Sequence, residues 1–163
     1  MHVDIGTGDG AFVLRTARAN PKTLVIGIDA NAEGMRERSH RAAAKPARGG
    51  TPNAVFVHAS VEALPDELEG LATRVTILFP WGSLLRAVWT GEMAAIERLA
   101  RPGASIEAVV AISPRDRTAF EGLPSEPAWG SIEAVDPSGY ETTWARKLSF
   151  DPARRFLRLR AER

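Results

Sequence analysis

Seven residues near the start of the chain carry the densest chemical signal: Asp4-Ile5-Gly6-Thr7-Gly8-Asp9-Gly10. A short apolar run ending at an acid, then three alternating glycines, reads as a strand, a tight turn and the opening of a helix. Glycines permit that turn and leave bare amides near the helix start for a ligand to lie against. Dinucleotides and S-adenosylmethionine (SAM) both use such turns. The spacing here is D-x-G-x-G-x-G rather than a strict G-x-G-x-x-G. An acid just before the glycines favours SAM, because a carboxylate there can meet a cationic amino-acid end and no phosphate has to be accommodated. Asp29 follows about 20 residues later, where an acid suits a ribose diol by accepting from both hydroxyls. Capping the next helix is the competing, compatible reading, and the preceding turn favours the ribose role. Glu62, in Ala59-Ser60-Val61-Glu62, is set to accept from an adenine amino group, or to act as a first-turn helix acid. Together these residues indicate a class I SAM-dependent methyltransferase, with a nicotinamide dehydrogenase as the alternative.

Two of the four tryptophans have chemical company. Trp81 lies in Phe79-Pro80-Trp81-Gly82, after the fourth predicted strand, where methyl acceptors sit in this architecture. Trp144 is flanked by Thr142, Thr143, Arg146 and Lys147. Taken singly, each indole reads as core before ligand platform. As a pair they are suited to hold a flipped base by stacking. Trp89 and Trp129 lack such neighbours and read as packing residues. The acid, Asn or Ser followed by Pro-Pro-aromatic that marks DNA amino-group methyltransferases is absent.

The elements that must carry these residues are legible from periodicity. Strands are expected at Val3–Ile5, Thr23–Ile28, Ala54–Ala59, Arg74–Phe79 and Ala104–Ile112, and helices at Gly10–Ala19, Asn31–Lys45, Glu62–Leu71 and Gly91–Ala100. The run Thr23–Ile28 is continuously apolar, as in a strand buried on both faces. Asn20-Pro21, Pro46 and Pro102-Gly103 punctuate the pattern. Alternating strands and helices imply a mostly parallel sheet with helices on both faces, and ligands at the carboxyl ends of its strands. Ser113–Gly139 reads as irregular. Trp144–Phe150 and Arg155–Arg160 read as two final strands, an antiparallel edge pair around Asp151-Pro152. No repeat or linker divides the 163 residues, so one domain is expected.

Composition narrows the classes further. The chain has no cysteine, which removes disulfide scaffolds, thiolate metal sites and thiol nucleophiles, and its three histidines lack metal-ligand spacing, so no metal is expected. No apolar run approaches membrane-spanning length and no signal peptide is visible, so a cytoplasmic, membrane-independent protein is expected. The formal net charge of +1 hides two basic segments. One runs from Gly34 to Gly50 with Arg36, Arg38, Arg41, Lys45 and Arg48, and the other from Glu141 to the end with Arg146, Lys147, Arg154, Arg155, Arg158, Arg160 and Arg163. They read either as solvated surfaces or as a phosphate-binding face.

Four blocks carry a family resemblance: the glycine turn, Ala44-Lys45-Pro46-Ala47-Arg48-Gly49-Gly50, Phe79-Pro80-Trp81-Gly82-Ser83-Leu84-Leu85-Arg86, and Trp144-Ala145-Arg146-Lys147-Leu148. They resemble the aminoglycoside-resistance 16S rRNA (adenine-1408-N1) methyltransferases, over residues 3 to about 113 and again from about 140. The tRNA guanine-N7 methyltransferases share the glycine turn but carry Phe-Pro-Asp-Pro-Trp where this chain has Phe-Pro-Trp-Gly. The resemblance implies that Asp4, Gly6, Thr7, Gly8, Asp29, Glu62, Phe79, Ser83 and Thr142 line a SAM pocket. It implies that Trp81 and Trp144 stack on a flipped adenine, and that Arg41, Lys45, Arg48, Arg146, Lys147 and Arg154 grip rRNA. The partner it implies is 16S rRNA within the 30S subunit, met by a monomer. Adenine N1 has a free lone pair, so no catalytic acid or base is nominated and positioning carries the reaction. Relative to the family, the chain reads as trimmed before its first strand and between about 122 and 143. Another RNA target, or SAM binding without activity, remains as an alternative.

Overall fold

The computed structural model describes residues 1–140 and 142–163, with the side chain of Arg117 also left aside. Seven strands form one sheet in the order β3-β2-β1-β4-β5-β7-β6. They are β1 (His2–Ile5), β2 (Val25–Asp29), β3 (Ala54–His58), β4 (Ala72–Leu78), β5 (Ala100–Ile112), β6 (Ser131–Ala134) and β7 (Arg155–Glu162). The pairs among β1 to β5 are parallel, whereas β7 pairs antiparallel with both β5 and β6. Strand order reverses beside β1, so the carboxyl ends of β1 and β4 splay connections to opposite sides and leave a crevice.

Helices α1 (Ala11–Ala19), α2 (Ala32–Ala43), α3 (Gly82–Thr90), α4 (Ala94–Glu97) and α5 (Thr143–Leu148) complete the chain. Alternate strand residues serve opposite faces. Val25 joins Val13, Leu14 and Ala17 of α1 and Ala42 of α2 in one cluster. Ile26 and Ile28 join Leu85, Val88 and Trp89 of α3 in the main core across the sheet. A third cluster, with Phe79, Val109, Ala145 and Phe156, seats α5 beside the carboxyl ends of β4 and β5. Among the described residues, no helix is long and apolar enough to cross a membrane.

Several sequence expectations change. Glu62–Leu71 holds two short 3-10 turns, Val61–Ala63 and Asp66–Leu68, with Pro65 between them. The expected Gly91–Ala100 helix contracts to α4. Gly91, at φ 76°, closes a preceding helix, α3, that the apolar pattern had not marked, and β5 already begins at Ala100. Trp144–Phe150 is not a strand: the Thr142 hydroxyl accepts from the Ala145 amide at 2.8 Å and caps α5. The antiparallel edge is present, but β7 takes its outer partner, β6, from the stretch expected to be irregular.

Candidate active site

A cavity of about 520 Å³ opens at the carboxyl ends of β1, β2 and β4. Its lining includes Ile5, Gly6, Gly8, Ile28, Asp29, Ala59, Ser60, Glu62, Phe79, Trp81, Ser83, Leu84, Trp144 and Arg154. Nine of the expected site residues therefore come together: Gly6, Gly8, Asp29, Glu62, Phe79, Trp81, Ser83, Trp144 and Arg154.

The glycine turn forms one wall. Gly8 and Gly10 have φ of +61° and +73°, a region that disfavours side chains. A Cβ on Gly10 would also stand 2.3 Å from the Phe56 ring. Asp29 ties this turn to β2. One carboxylate oxygen accepts from the Gly8 amide at 2.7 Å and the other from the Asn31 amide at 2.8 Å. Asn31, not Asp29, caps α2, accepting from the Gly34 amide at 3.3 Å. The cap alternative for Asp29 is thereby removed. Each of its oxygens keeps lone-pair capacity for a further donor. Glu62 is exposed in a single 3-10 turn, too short to supply a helix dipole. Its own amide and the Ser60 and Ser83 hydroxyls hold its carboxyl below the usual range.

Asp4 lies under the turn, 2% exposed, and does not reach the lining. The Thr76 hydroxyl donates to Asp4 Oδ1 at 2.6 Å, and His2 Nε2 lies 3.0 Å from the same hydroxyl. With that hydrogen directed at Asp4, His2 donates through Nε2. Burial pushes the Asp4 carboxyl up to about 7, with the Asp29 charge adding to it and the Thr76 and Thr7 hydroxyls opposing. Burial and the Arg74 charge push His2 down to about 4. Thr7 also lies below the lining, its methyl close to Gly27 and its amide donating to Ile28 O at 3.1 Å. Thr142, buried, caps α5 behind the cavity wall.

The opposite wall is aromatic. Phe79 has φ 56°, the one non-glycine residue with positive φ among those described. Its ring is locked edge-on against Tyr140 and Phe156, with centroids 6.2 and 6.0 Å away. Packing thus sustains a backbone conformation that costs about 1–3 kcal/mol and turns Pro80-Trp81 across the end of β4. Trp81 precedes α3 and is 62% exposed; Trp144 on α5 is 51% exposed, with Lys147 Nζ 5.0 Å from its ring centroid. Trp89 and Trp129 are packing residues, their indole nitrogens donating to Pro124 O at 2.8 Å and Val88 O at 2.5 Å.

The cations divide into three groups. Arg41, Lys45 and Arg48 are exposed at the far end of α2 and the turn after it. This end lies about 18 Å along the helix from its start beside Asp29. Arg146 and Lys147 are exposed on the last turn of α5. Arg154 corrects the expectation of a surface phosphate contact. Its side chain is 10% exposed in the cavity wall, paired with Asp116 and, at 3.7 Å, with Asp151. A phosphate would reach it only by displacing a carboxylate. Ser113 donates to Asp151 at 2.6 Å and completes that cluster. Sequence reasoning missed Asp116 and Leu84 in the lining. It also gave no role to Asp9, although Asp9 stands inside the glycine turn.

The chain as a whole is similar to known proteins. A family model described as NpmA, 16S rRNA (adenine(1408)-N(1))-methyltransferase, matches residues 1–127. A 16S rRNA (adenine(1408)-N(1))-methyltransferase of Streptoalloteichus tenebrarius is 36% identical over 173 residues, covering 90% of this chain and 79% of that protein. The crystal structure of such an enzyme from Catenulisporales acidiphilia, a tryptophan-to-alanine mutant with cosubstrate SAM, superposes with a TM-score of 0.86 at 33% identity. That match covers 99% of this chain and 84% of that one. The antibiotic-resistance methyltransferase Kmr superposes with a TM-score of 0.79 at 41% identity, covering 99% and 85%.

Proposed function

We infer the roles of the site from one premise: this chain belongs to the 16S rRNA (adenine(1408)-N(1))-methyltransferase family. The protein is a SAM-dependent enzyme that methylates N1 of adenine 1408 in 16S rRNA, a modification tied to aminoglycoside resistance. We further propose that its substrate is the assembled 30S subunit, and that it acts as a monomer in the cytoplasm.

The residues present fit the cosubstrate. Asp29 keeps acceptor capacity on both oxygens for a ribose diol, after its two backbone bonds. Ile5, Ile28, Ala59 and Val61 offer apolar walls, and Glu62 beside Ser60 offers acceptors at their edge for an adenine amino group. Gly6 and Gly8 present bare backbone. Asp4, beneath them, supplies a carboxyl that a nearby ammonium would ionise. Thr7 shapes the turn from below, Phe79 turns the backbone at the end of β4, the Ser83 hydroxyl holds Glu62, and Thr142 caps α5. Bound SAM supplies an electrophilic methyl group.

Trp81 and Trp144 take the target adenine between them. They lie more than 60 residues apart in sequence, one just before α3 and the other on α5, and both exposed indoles line the cavity that contains Asp29. This single observation carries the proposal. Adenine N1 needs no proton removed before it reacts, so these residues act by orientation, and their π faces tolerate the positive charge that develops on the base. Arg41, Lys45, Arg48, Arg146 and Lys147 hold the rRNA backbone by charge.

The test is primer extension across the decoding-site helix of 30S subunits after incubation with protein and SAM. Methylation at N1 blocks the Watson–Crick edge and stops reverse transcriptase. A SAM-dependent stop that Trp81→Ala strongly weakens is expected. A stop that survives that change unaltered would overturn the stacking role.

A further inference from the structure

Asp9 joins three elements through one carboxylate. Its Oδ1 accepts from the Ala11 amide at 3.0 Å, at the start of α1. Its Oδ2 accepts from the Thr143 hydroxyl at 2.7 Å, spanning 134 residues of sequence, and also pairs with Arg38 of α2 at 3.4 Å. Thr143 immediately precedes Trp144. The Trp144 indole lies over Gly8, with Nε1 and Cδ1 at 3.6 and 3.7 Å from where a Gly8 Cβ would stand. The Gly8 amide is itself held by Asp29.

Helix α5 has six residues, too few to hold a helix in place by itself. Its position depends on tethers. Ala145 and Leu148 seat one side against the cluster around Phe79 and Phe156. Arg15 donates to Tyr140 O at 2.7 Å and steadies the preceding turn. Thr143 to Asp9 is the tether at the amino end, next to Trp144, and it lands on the same turn that lines the cosubstrate side of the cavity.

We propose that Asp9 is a positioning residue for the target base: through Thr143 it holds Trp144 over the glycine turn, in register with the backbone that lines the SAM pocket. The proposal rests on the reading of Trp144 as a base-stacking residue. It gives the acid between the second and third glycines a task that turn geometry alone does not require. It also links α2, which carries Arg41, to the base platform through Arg38.

The informative variant is Thr143→Val, which keeps the shape and removes the donor. Asp9→Ala is less suitable, because Asp9 also bonds the first amide of α1. The expected result is a kcat for 30S methylation lowered about tenfold or more, since small misplacement of a reacting group is costly. The KM for 30S, SAM affinity by calorimetry and the Tm should stay close to wild type. Thr143→Ser should restore kcat. Amide hydrogen exchange in free protein supplies a reading that needs no RNA: residues 145–149 should exchange several-fold faster in Thr143→Val, with α1 unchanged. Unaltered kcat and unaltered exchange would overturn the proposal. So would a joint loss of Tm, SAM affinity and activity, because the bond would then be merely structural. If wild-type protein methylates no rRNA, the stacking reading fails, and exchange in α5 still decides whether Asp9 holds Trp144.

Discussion

The two walls of the cavity are built by different means. The wall formed by β1, β2 and the glycine turn is held mainly by backbone bonds, with the Asp29 carboxylate added. Gly6 and Thr7 both donate to Ile28 O, Gly8 is held by Asp29, and Gly10 donates to Thr7 O. The wall formed by Trp81 and Trp144 is held by side chains: the strained Phe79 and its aromatic neighbours, the Thr143–Asp9 bond, and the Arg154 cluster with Asp116 and Asp151. On the proposed reading, the first is pre-formed for SAM. The second exposes large apolar rings, which on that reading are buried only when a base arrives. Backbone bonding fixes a shape, whereas side-chain tethers leave a surface to be completed by its substrate.

Substitutions should separate the walls. Asp29→Ala removes both acceptors for a diol and loosens Gly8. At about 1.5–3 kcal/mol for each hydrogen bond to a charged group, SAM affinity should fall by at least about a hundredfold, as measured by calorimetry. Trp81→Ala and Trp144→Ala should each lower methylation roughly 10- to 100-fold, following about 1–3 kcal/mol per stacked base. SAM affinity should be nearly unchanged, and a parallel loss of SAM binding would show that the walls are not separable.

Protonation sharpens the contrast, because Asp4 belongs to the first wall. Its folded pKa, about 7, lies above the ordinary 3.8, so the folded state binds the extra proton. That contribution favours folding below pH 3.8 and is lost as pH rises towards 7. At pH 8, Asp4→Asn should therefore melt higher than wild type, and the gap should close on acidification. His2 runs the other way, losing stability as pH falls from 6.5 towards 4, so the comparison must be made against wild type at each pH. A cation beside Asp4 favours its ionised form. SAM affinity should therefore weaken as pH drops below 7 in wild type and stay flat in Asp4→Asn.

The smallest effects are expected on the outer surface. Arg146→Ala or Lys147→Ala should each lower the slope of log affinity for rRNA against log salt by about one. Arg154→Ala should leave that slope unchanged and lower the Tm, because it strands Asp116 and Asp151 without their cation.

Local chemistry made much of this protein legible from sequence alone. The parallel half of the sheet, the glycine turn, Asp29 at the end of β2, Trp81 after the fourth strand and Trp144 among polar neighbours all follow from period, punctuation and residue type. The errors share one cause. Trp144–Phe150 carries alternating apolar residues that suit a strand, yet the Thr142 cap and the seat for Ala145 make it a helix. The edge strand Ser131–Ala134 alternates polar and apolar residues over only four positions, too few to stand out, and exists because β7 offers unpaired backbone. Arg154 looks like any surface cation until Asp116, 38 residues away, is brought beside it. Asp9 has an unremarked place in a familiar turn until Thr143 arrives from the other end of the chain. Sequence determined what each short segment could form and which ligand chemistry its residues suit. Tertiary structure alone decided which distant side chains would meet, because a contact across more than a hundred residues leaves no trace in local spacing.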